Sequence, residues 1–489
     1  MMVVGVGTIL VALIVFLVTY LLMRSRRPSD LPPGPTPLPV LGNLKLIWGK
    51  SLLDVAATLQ KKYGDIFSLS IGPYWMVFIN RYDALREVFV KHGNTFSDRP
   101  DVWYLREVKK KKGLAAGYPW KEQRAFTLNL LRGFGFGTRS MESIITEECE
   151  KFTELLAETQ GKEFAISGVI NKAVSNVICS IVLGKRFSYD DQEFDKFVKV
   201  ITETVVNEYT PKVNILPVLL RIPKVKSRCD HCIEQNNLIR AWFQKQIDEH
   251  KETLKEDHLR DFIDAYLVQI KKMKRESDTQ FTEENLKYVI LDLFSGGTET
   301  TSSTIGWAVL CLVNHPEIQE KIRAEMLKNV SSGPPTLSDR NTLPYCEAVI
   351  HEVMRMEPIL PMSISHTASE DTVVNGYRIP KGAIVVPNLY SVMHDEKVFP
   401  DSHKFDPGRF LDGNGKFHAP EKFLPFSLGK RVCPGEALAR NELFLFFTSL
   451  LWNFKILPPD GQSPPPIEGK LGVTYGPLPY KVRFVKYRD

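Results

Sequence analysis

The alternation of apolar and polar positions divides the chain into an anchor-like start, a linker and a long body. From Met2 to Met23 no charged residue occurs, and a helix of that length spans the hydrocarbon core of a bilayer. The stretch is longer than the apolar part of a secretory signal. It has no basic segment ahead of it and no small-residue cleavage site, so residues 1–23 read as a retained transmembrane anchor. Arg24, Arg26 and Arg27 follow at once with nothing basic before them, which leaves everything downstream in the cytosol. The run LPPGPTPLPVLGN, Leu31 to Asn43, excludes helix through its prolines, so residues 24–45 read as a basic, proline-rich, semi-rigid linker. The body, residues 46–489, opens with short strand-like runs, FSLSIG and YWMVFIN, between Phe67 and Asn80. Helical periodicity then predicts helices over Glu142–Gln160, Phe194–Glu208, Asn236–Thr253, Arg260–Lys272 and Leu291–Pro316, with strands returning around Val373–Val386 and near the C-terminus. The apolar stretch Asn214 to Lys226 is interrupted by prolines and ends in basic residues; it suits a second membrane contact or a buried loop equally. The class is mainly α with small β-sheets.

Composition leaves this picture intact and charge narrows it. With 489 residues, 43% hydrophobic and 25% charged, the chain can bury a large core. A net charge of +6, spread along the sequence, gives no basic patch for nucleic acid. The run Lys109 to Lys112 reads as a solvated loop. The 7 cysteines are odd in number and scattered through helical stretches, which fits a reducing compartment without a disulfide framework. Cys229 and Cys232 have zinc or redox spacing, but no second such pair accompanies them.

Candidate chemistry sits in stretches far apart in sequence. FSLGKRVCPG, Phe426 to Gly435, puts Cys433 in a turn, where a small buried hydrophobe has little reason to be. The apolar helix Leu291–Pro316 carries Gly296, Gly297, Glu299, Thr300 and Thr301 at its centre. A hydroxyl at Thr300 reaching the carbonyl of Gly296 would open a groove for a diatomic ligand beside a proton donor; the glycines alone would equally serve close helix packing. Glu352 and Arg355 share a helix face, and Arg409 in FDPGRFL would complete a buried triad with them. Trp120 and Arg124, four residues apart, offer donors for a carboxylate, or a surface cation–π pair.

Together these stretches resemble the cytochrome P-450 superfamily of haem-thiolate monooxygenases. The haem-binding signature F-x-x-G-x-R-x-C-x-G is met by Phe426, Gly429, Arg431, Cys433 and Gly435, the E-x-x-R pair by Glu352 and Arg355, the oxygen-activation motif by Gly296 to Thr301, and W-x-x-x-R by Trp120 and Arg124. The usual P-E-R-F loop reads Pro407-Gly408-Arg409-Phe410. LPPGPTPLPVLGN and WKEQR resemble the large animal family numbered two, in an invertebrate version. The resemblance implies a single large haem domain of that fold behind the anchor, with haem b (iron protoporphyrin IX) held by Cys433 as axial ligand. It implies Arg99, Trp120, Arg124, His366 and Arg431 on the haem propionates, with Gly429 and Gly435 letting the backbone approach the porphyrin and aim N–H groups at the sulfur. Pro434 would begin a helix whose positive end favours the thiolate. Glu299 and Thr300 become the proton relay. The residues before Gly296, Ile359 to Ile364, Leu105 to Tyr118 and Val473-Thr474 would line a pocket for a small apolar substrate such as a fatty acid, steroid, terpenoid or xenobiotic. Electrons from NADPH would arrive through a flavoprotein reductase, with cytochrome b5 as a second donor, docking near Lys121, Arg132, Lys422, Lys430 and Arg440. The implied setting is the endoplasmic reticulum (microsomal) membrane, single-pass, with the catalytic domain cytosolic. The alternatives are a haem-thiolate isomerase or dehydratase acting on peroxides without O2, which would commonly lack the acid–alcohol pair, and a catalytically silent haem sensor.

Overall fold

The computed structural model describes residues 27–487 apart from 40, 73, 116–119, 134–138, 206–208 and 275–278, and, ahead of residue 27, only positions 8, 11, 12 and 15. The anchor expected over residues 1–23 lies outside the described residues, those isolated positions aside. Among the described residues no helix is long and apolar enough to cross a membrane.

The axis of the body is the helix Glu283–Asn314. Thr282 caps its start by accepting from the Asn285 N–H at 3.1 Å, and its end comes at His315, before Pro316 opens the next helix, Pro316–Asn329. Nearly everything in it from Ile305 to Val313 is buried, as expected of a helix apolar all round. Ser167–Val182, Pro223–Thr253, Pro344–Met356 and Glu436–Asn453 contribute to the same core. The largest sheet pairs Ile66–Ile71 antiparallel with Tyr74–Ile79, which runs parallel to Ile384–Pro387, which pairs antiparallel with His366–Thr367. The class is mainly helical with small sheets, as the sequence predicts.

Three expectations change. The helix expected from Asn236 begins instead at Pro223, because proline at a first helical position lacks only an N–H that would have no partner there. Ahead of it Pro217–Arg221 forms a 3₁₀ turn, with Leu219, Leu220 and Val225 packed on a small cluster around Trp103, Val213, Cys229 and Cys232 while Val218 and Ile222 stay exposed. The long helix likewise begins at Glu283 instead of Leu291, where Thr282 caps it. The proline run lies against the body. Ser68 N–H donates to Pro33 O at 2.9 Å, Asn43 Oδ1 accepts from Ser70 N–H at 2.9 Å, and Asp30 pairs with Arg378 at 2.6 Å, so the linker lies along the first strand.

Zinc has no seat at Cys229 and Cys232, which are buried among apolar side chains. Among the described residues the one metal-like grouping is His250, Asp261 and Asp264, and it is saturated. His250 bonds Asp261 at 2.8 Å and Gln246 O at 2.6 Å, while Arg260 grips both oxygens of Asp264.

Candidate active site

The turn that carries Cys433 is built by close approach. Gly429 has φ +80°, and a Cβ there would lie 2.1 Å from the carbonyl oxygen of Phe89, so the turn seats against the helix Glu87–Lys91 only as glycine. The sequence assigns that glycine to porphyrin contact; the backbone of Phe89 is what demands it. Cys433 N–H donates to Phe426 O at 3.0 Å and closes the loop. Gly435, not Pro434, caps the following helix Glu436–Asn453, which starts two residues later than expected because the turn continues through Pro434. Cys433 is the one cysteine of the chain that is not buried. Burial nevertheless pushes its thiol up, opposed by the Gly435 N–H and by the charge of Arg124.

Beside the sulfur stands a group of cations without counter-ions. Arg124 donates to Val432 O at 2.6 Å. Arg431 lies over the Trp120 ring at 3.7 Å and donates to Ser97 O at 2.9 Å and Leu114 O at 3.0 Å. Arg99 donates to Ile364 O at 2.8 Å and Ser365 O at 3.0 Å. The partner of Trp120 is thus Arg431, and Arg124 is turned to the cysteine turn instead. None of the three guanidiniums makes an ion pair among the described residues. Burial, then their mutual repulsion, brings Arg431 down to about 8, and burial with Arg124 brings Arg99 to about 10. Arginine keeps its proton in proteins, so the shifts reflect guanidiniums that are buried first and mutually repelling second, a state that an anion would relieve. Two carboxylates fit this donor set well. His366 is buried with Nδ1 on Phe96 O at 2.6 Å, and burial followed by Arg99 lowers its pKa well below the ordinary value. It can donate to a carboxylate only through Nε2, in a doubly protonated state that an arriving anion would favour.

On the long helix the two glycines have different duties. A Cβ at Gly297 would meet Ile178 Cδ1 at 2.6 Å, so Gly297 is there for packing, whereas a Cβ at Gly296 would meet nothing within 4 Å. Thr300 Oγ1 donates to Gly296 O at 2.5 Å, the bond the sequence predicts, yet the helix remains continuous through it. The open face comes from the missing side chain of Gly296, not from a broken helix. Glu299 is buried; its Oε1 accepts from Ser303 at 3.1 Å, its Oε2 has no partner, and burial raises its pKa to about 7. No hydrogen bond joins Glu299 to Thr300. Pattern reading missed a second enclosed acid, Glu442, which accepts from Thr301 at 3.1 Å and is pushed by burial to about 8.

The loop above this face is tied down by a residue the motifs do not contain. Asp292 accepts from Leu114 N–H at 2.6 Å and Ala115 N–H at 2.9 Å, and pairs with Lys109, which is buried and not in the solvated loop expected for that run. Lys110 and Lys111 do face solvent. The carboxylate draws Lys109 inward because it is itself almost wholly enclosed. Asp292→Ala strips these two amides of their acceptor and strands the buried Lys109 charge; we expect a loss of about 3–5 kcal/mol, with the largest gain in hydrogen exchange at Leu114 and Ala115, measured by mass spectrometry.

The family model for Cytochrome P450 matches residues 32–484. The chain belongs to the cytochrome P450 family. It is 38% identical over 480 residues, 97% of the chain and 95% of the relative, to Cytochrome P450 2J2 of Homo sapiens. It is 38% identical to Cytochrome P450 2C25 of Mesocricetus auratus, covering 94% of the chain and 96% of that protein, and 37% identical to Cytochrome P450 2D6 of Homo sapiens, covering 97% of each. These are family 2 proteins, and the chain is accordingly a haem-thiolate monooxygenase, an oxidoreductase. The family implies haem iron, and the donor set fits it: one accessible sulfur with an N–H aimed at it, and guanidiniums lacking anions on one side.

Proposed function

We propose that this P450 inserts one atom of O2 into an apolar small molecule, by hydroxylation or epoxidation, and reduces the other to water. The fatty acids, steroids, terpenoids and xenobiotics are its substrate class, and its electrons come from NADPH through a flavin reductase. The observation that carries the reading is the meeting of Cys433, the unpaired Arg99, Arg124 and Arg431, and the bare helix face at Gly296 and Thr300. Cys433 would hold the iron of haem b as thiolate, and Arg99, Arg124, Arg431, Trp120 and His366 its propionates. When bound, the haem supplies the iron at which O2 is activated. Gly435 N–H and Arg124 hold negative charge at the sulfur. Glu299, which burial brings to about 7, would carry a proton for part of the time one residue from Thr300, and a water between the two would complete the relay. The retained acid–alcohol pair disfavours the isomerase reading.

Reductase and cytochrome b5 would dock on the thiolate side through exposed Lys121 and Lys430 with Lys422. Arg440 is committed to Glu436 and His351, and the side chain of Arg132 lies outside the described residues. The anchor over residues 1–23 sets the protein in the endoplasmic reticulum membrane. Exposed Leu38, Leu41 and Trp48 flank Leu44 and Ile47, which pack on the same apolar cluster as Ile215, the residue that leads into exposed Val218 and Ile222. Residues 214–226 would then touch the bilayer.

The test is Thr300→Ala in the reconstituted enzyme. Product formed per NADPH consumed should fall at least about tenfold, the scale of a lost proton-delivery group, with peroxide accounting for the missing electrons and haem content unchanged. Wild-type coupling in the variant would reduce Thr300 to a helix-packing hydroxyl and move the proton route to Thr301.

A further inference from the structure

We infer, resting on the relay proposed for Glu299 and Thr300, that Ser303 is a positioning residue for proton delivery and that the C-terminal hairpin Gly469–Pro477 holds it in place. Neither belongs to any motif of the chain.

The helix Glu283–Asn314 carries a run of hydroxyls from Thr300 to Thr304. A serine or threonine inside a helix ordinarily bonds back to the carbonyl four residues earlier. Thr300, Ser302 and Thr304 do so, on Gly296 O at 2.5 Å, Thr298 O at 2.8 Å and Thr300 O at 2.8 Å. The two that depart each serve an enclosed acid: Thr301 donates to Glu442 Oε2, and Ser303 to Glu299 Oε1 at 3.1 Å. Ser303 stands one turn beyond Glu299 and could have bonded that residue's carbonyl. Its proton goes to the side chain instead. One carboxyl oxygen is thereby fixed, and Oε2 is left enclosed and, among the described residues, without a partner. A carboxyl pinned at one oxygen presents the other in a single direction, as proton transfer to a defined acceptor requires.

The hairpin keeps the serine there. Gly469–Leu471 pairs antiparallel with Tyr475–Pro477, and the second strand lies against the helix at Ser303, Gly306 and Trp307. A Cβ on Gly476 would stand 3.3 Å from Ser303 Oγ, so bare backbone forms the wall behind the hydroxyl. Trp307 Nε1 donates to Tyr475 O at 3.1 Å, and Tyr480 O–H donates to Gly306 O at 2.5 Å. From its other side the strand is tied by Tyr475 N–H to Ile359 O at 2.8 Å. Bonded on both sides, it cannot withdraw from Ser303 without breaking these contacts.

The same hydroxyl acts on the charge. Burial raises the Glu299 carboxyl to about 7, and Ser303 opposes that rise because an O–H donor favours the carboxylate. The titratable groups on the elements packed around this turn are Cys179 on Ser167–Val182, Glu442 on Glu436–Asn453, and Tyr475 and Tyr480 at the hairpin. Burial holds the thiol and both phenols above the neutral range. Glu442, brought by burial to about 8, is the group to control for.

The test reads the carboxyl itself. In the full-length haem-loaded protein in lipid nanodiscs, infrared difference spectra across a pH titration should contain a protonated-carboxyl C=O band that Glu299→Gln removes. Ser303→Ala should move the midpoint of that band upward by about one pH unit, the scale of one hydrogen bond to a charged group, and Ser303→Thr should restore it. Gly476→Val, which crowds the hydroxyl, should produce the same shift and add nothing in a Ser303→Ala background. Glu442→Gln should leave the midpoint where it is. At about pH 6, where Glu299 keeps its proton with or without Ser303, product formed per NADPH in Ser303→Ala should still fall at least about threefold on the substrate that the parent couples best, with peroxide rising; the loss is then one of aim, not of charge. Parent-like coupling in Glu299→Gln would remove the relay itself. An uncoupled Glu299→Gln beside a Ser303→Ala protein with parent midpoint and parent coupling would keep the relay and overturn the role of Ser303, and a parent midpoint in Gly476→Val would overturn that of the hairpin.

Discussion

Glu352→Ala is expected to cost about 3–5 kcal/mol, the range for removing one partner of a buried ion pair, and to leave little folded, haem-loaded protein. Glu352 and Arg355 are both completely buried, joined at 2.6 and 2.9 Å, and Arg409 bonds the same carboxylate at 3.0 Å. Asp406 N–H adds a bond to Glu352 Oε1 at 2.9 Å, so one carboxylate pins the loop that Arg409 ties to Pro400 O. Taking it away strands the Arg355 charge in a core from which its side chain has no short path to water. Arg409 is nearer the surface and can turn outward, so Arg409→Ala should be markedly milder than Glu352→Ala, with Glu352 still satisfied by Arg355. Urea denaturation of the purified variants measures both. A Glu352→Ala protein with native midpoint and full haem content would mean that the triad contributes nothing to the fold.

The triad was legible in the sequence because its members sit at a fixed helical spacing and in a proline-bounded loop; the Thr300 to Gly296 bond was legible for the same reason. What escaped depends on partners remote in the chain. The duty of Gly429 is set by the carbonyl of Phe89, and that of Gly297 by Ile178, neither of which local pattern can supply. Lys109 looked solvated because it stands in a run of lysines, while the carboxylate that buries it lies on the long helix at Asp292. Glu299 and Glu442 differ in the same way: one is flagged by its motif, whereas the other lies in a helix apolar enough to pass for core, and only the packing against Thr301 reveals an enclosed acid. The fold class, by contrast, follows from periodicity, since helix and strand periods survive whatever packs against them.

Cys433→Ala is expected to abolish the strongly red-shifted Soret band that reduced, carbon monoxide-treated protein shows when its haem is bound through a thiolate, and with it all monooxygenase turnover. No other cysteine can replace it. Cys149, Cys179, Cys229, Cys232, Cys311 and Cys346 are all buried, most of them inside helices of the core. The fold should survive, because the contacts that build the turn are backbone ones: Cys433 N–H to Phe426 O at 3.0 Å and the seat of Gly429 on Phe89. Alanine keeps both. Circular dichroism and the urea midpoint should therefore stay near those of the parent protein freed of haem, separating loss of the ligand from loss of structure. The three guanidiniums remain in place in the variant, so residual haem captured through its carboxylates is expected, with a Soret position typical of nitrogen or water ligation. A variant that retains the thiolate-type band would remove Cys433 from the site and require an iron ligand outside the FSLGKRVCPG turn.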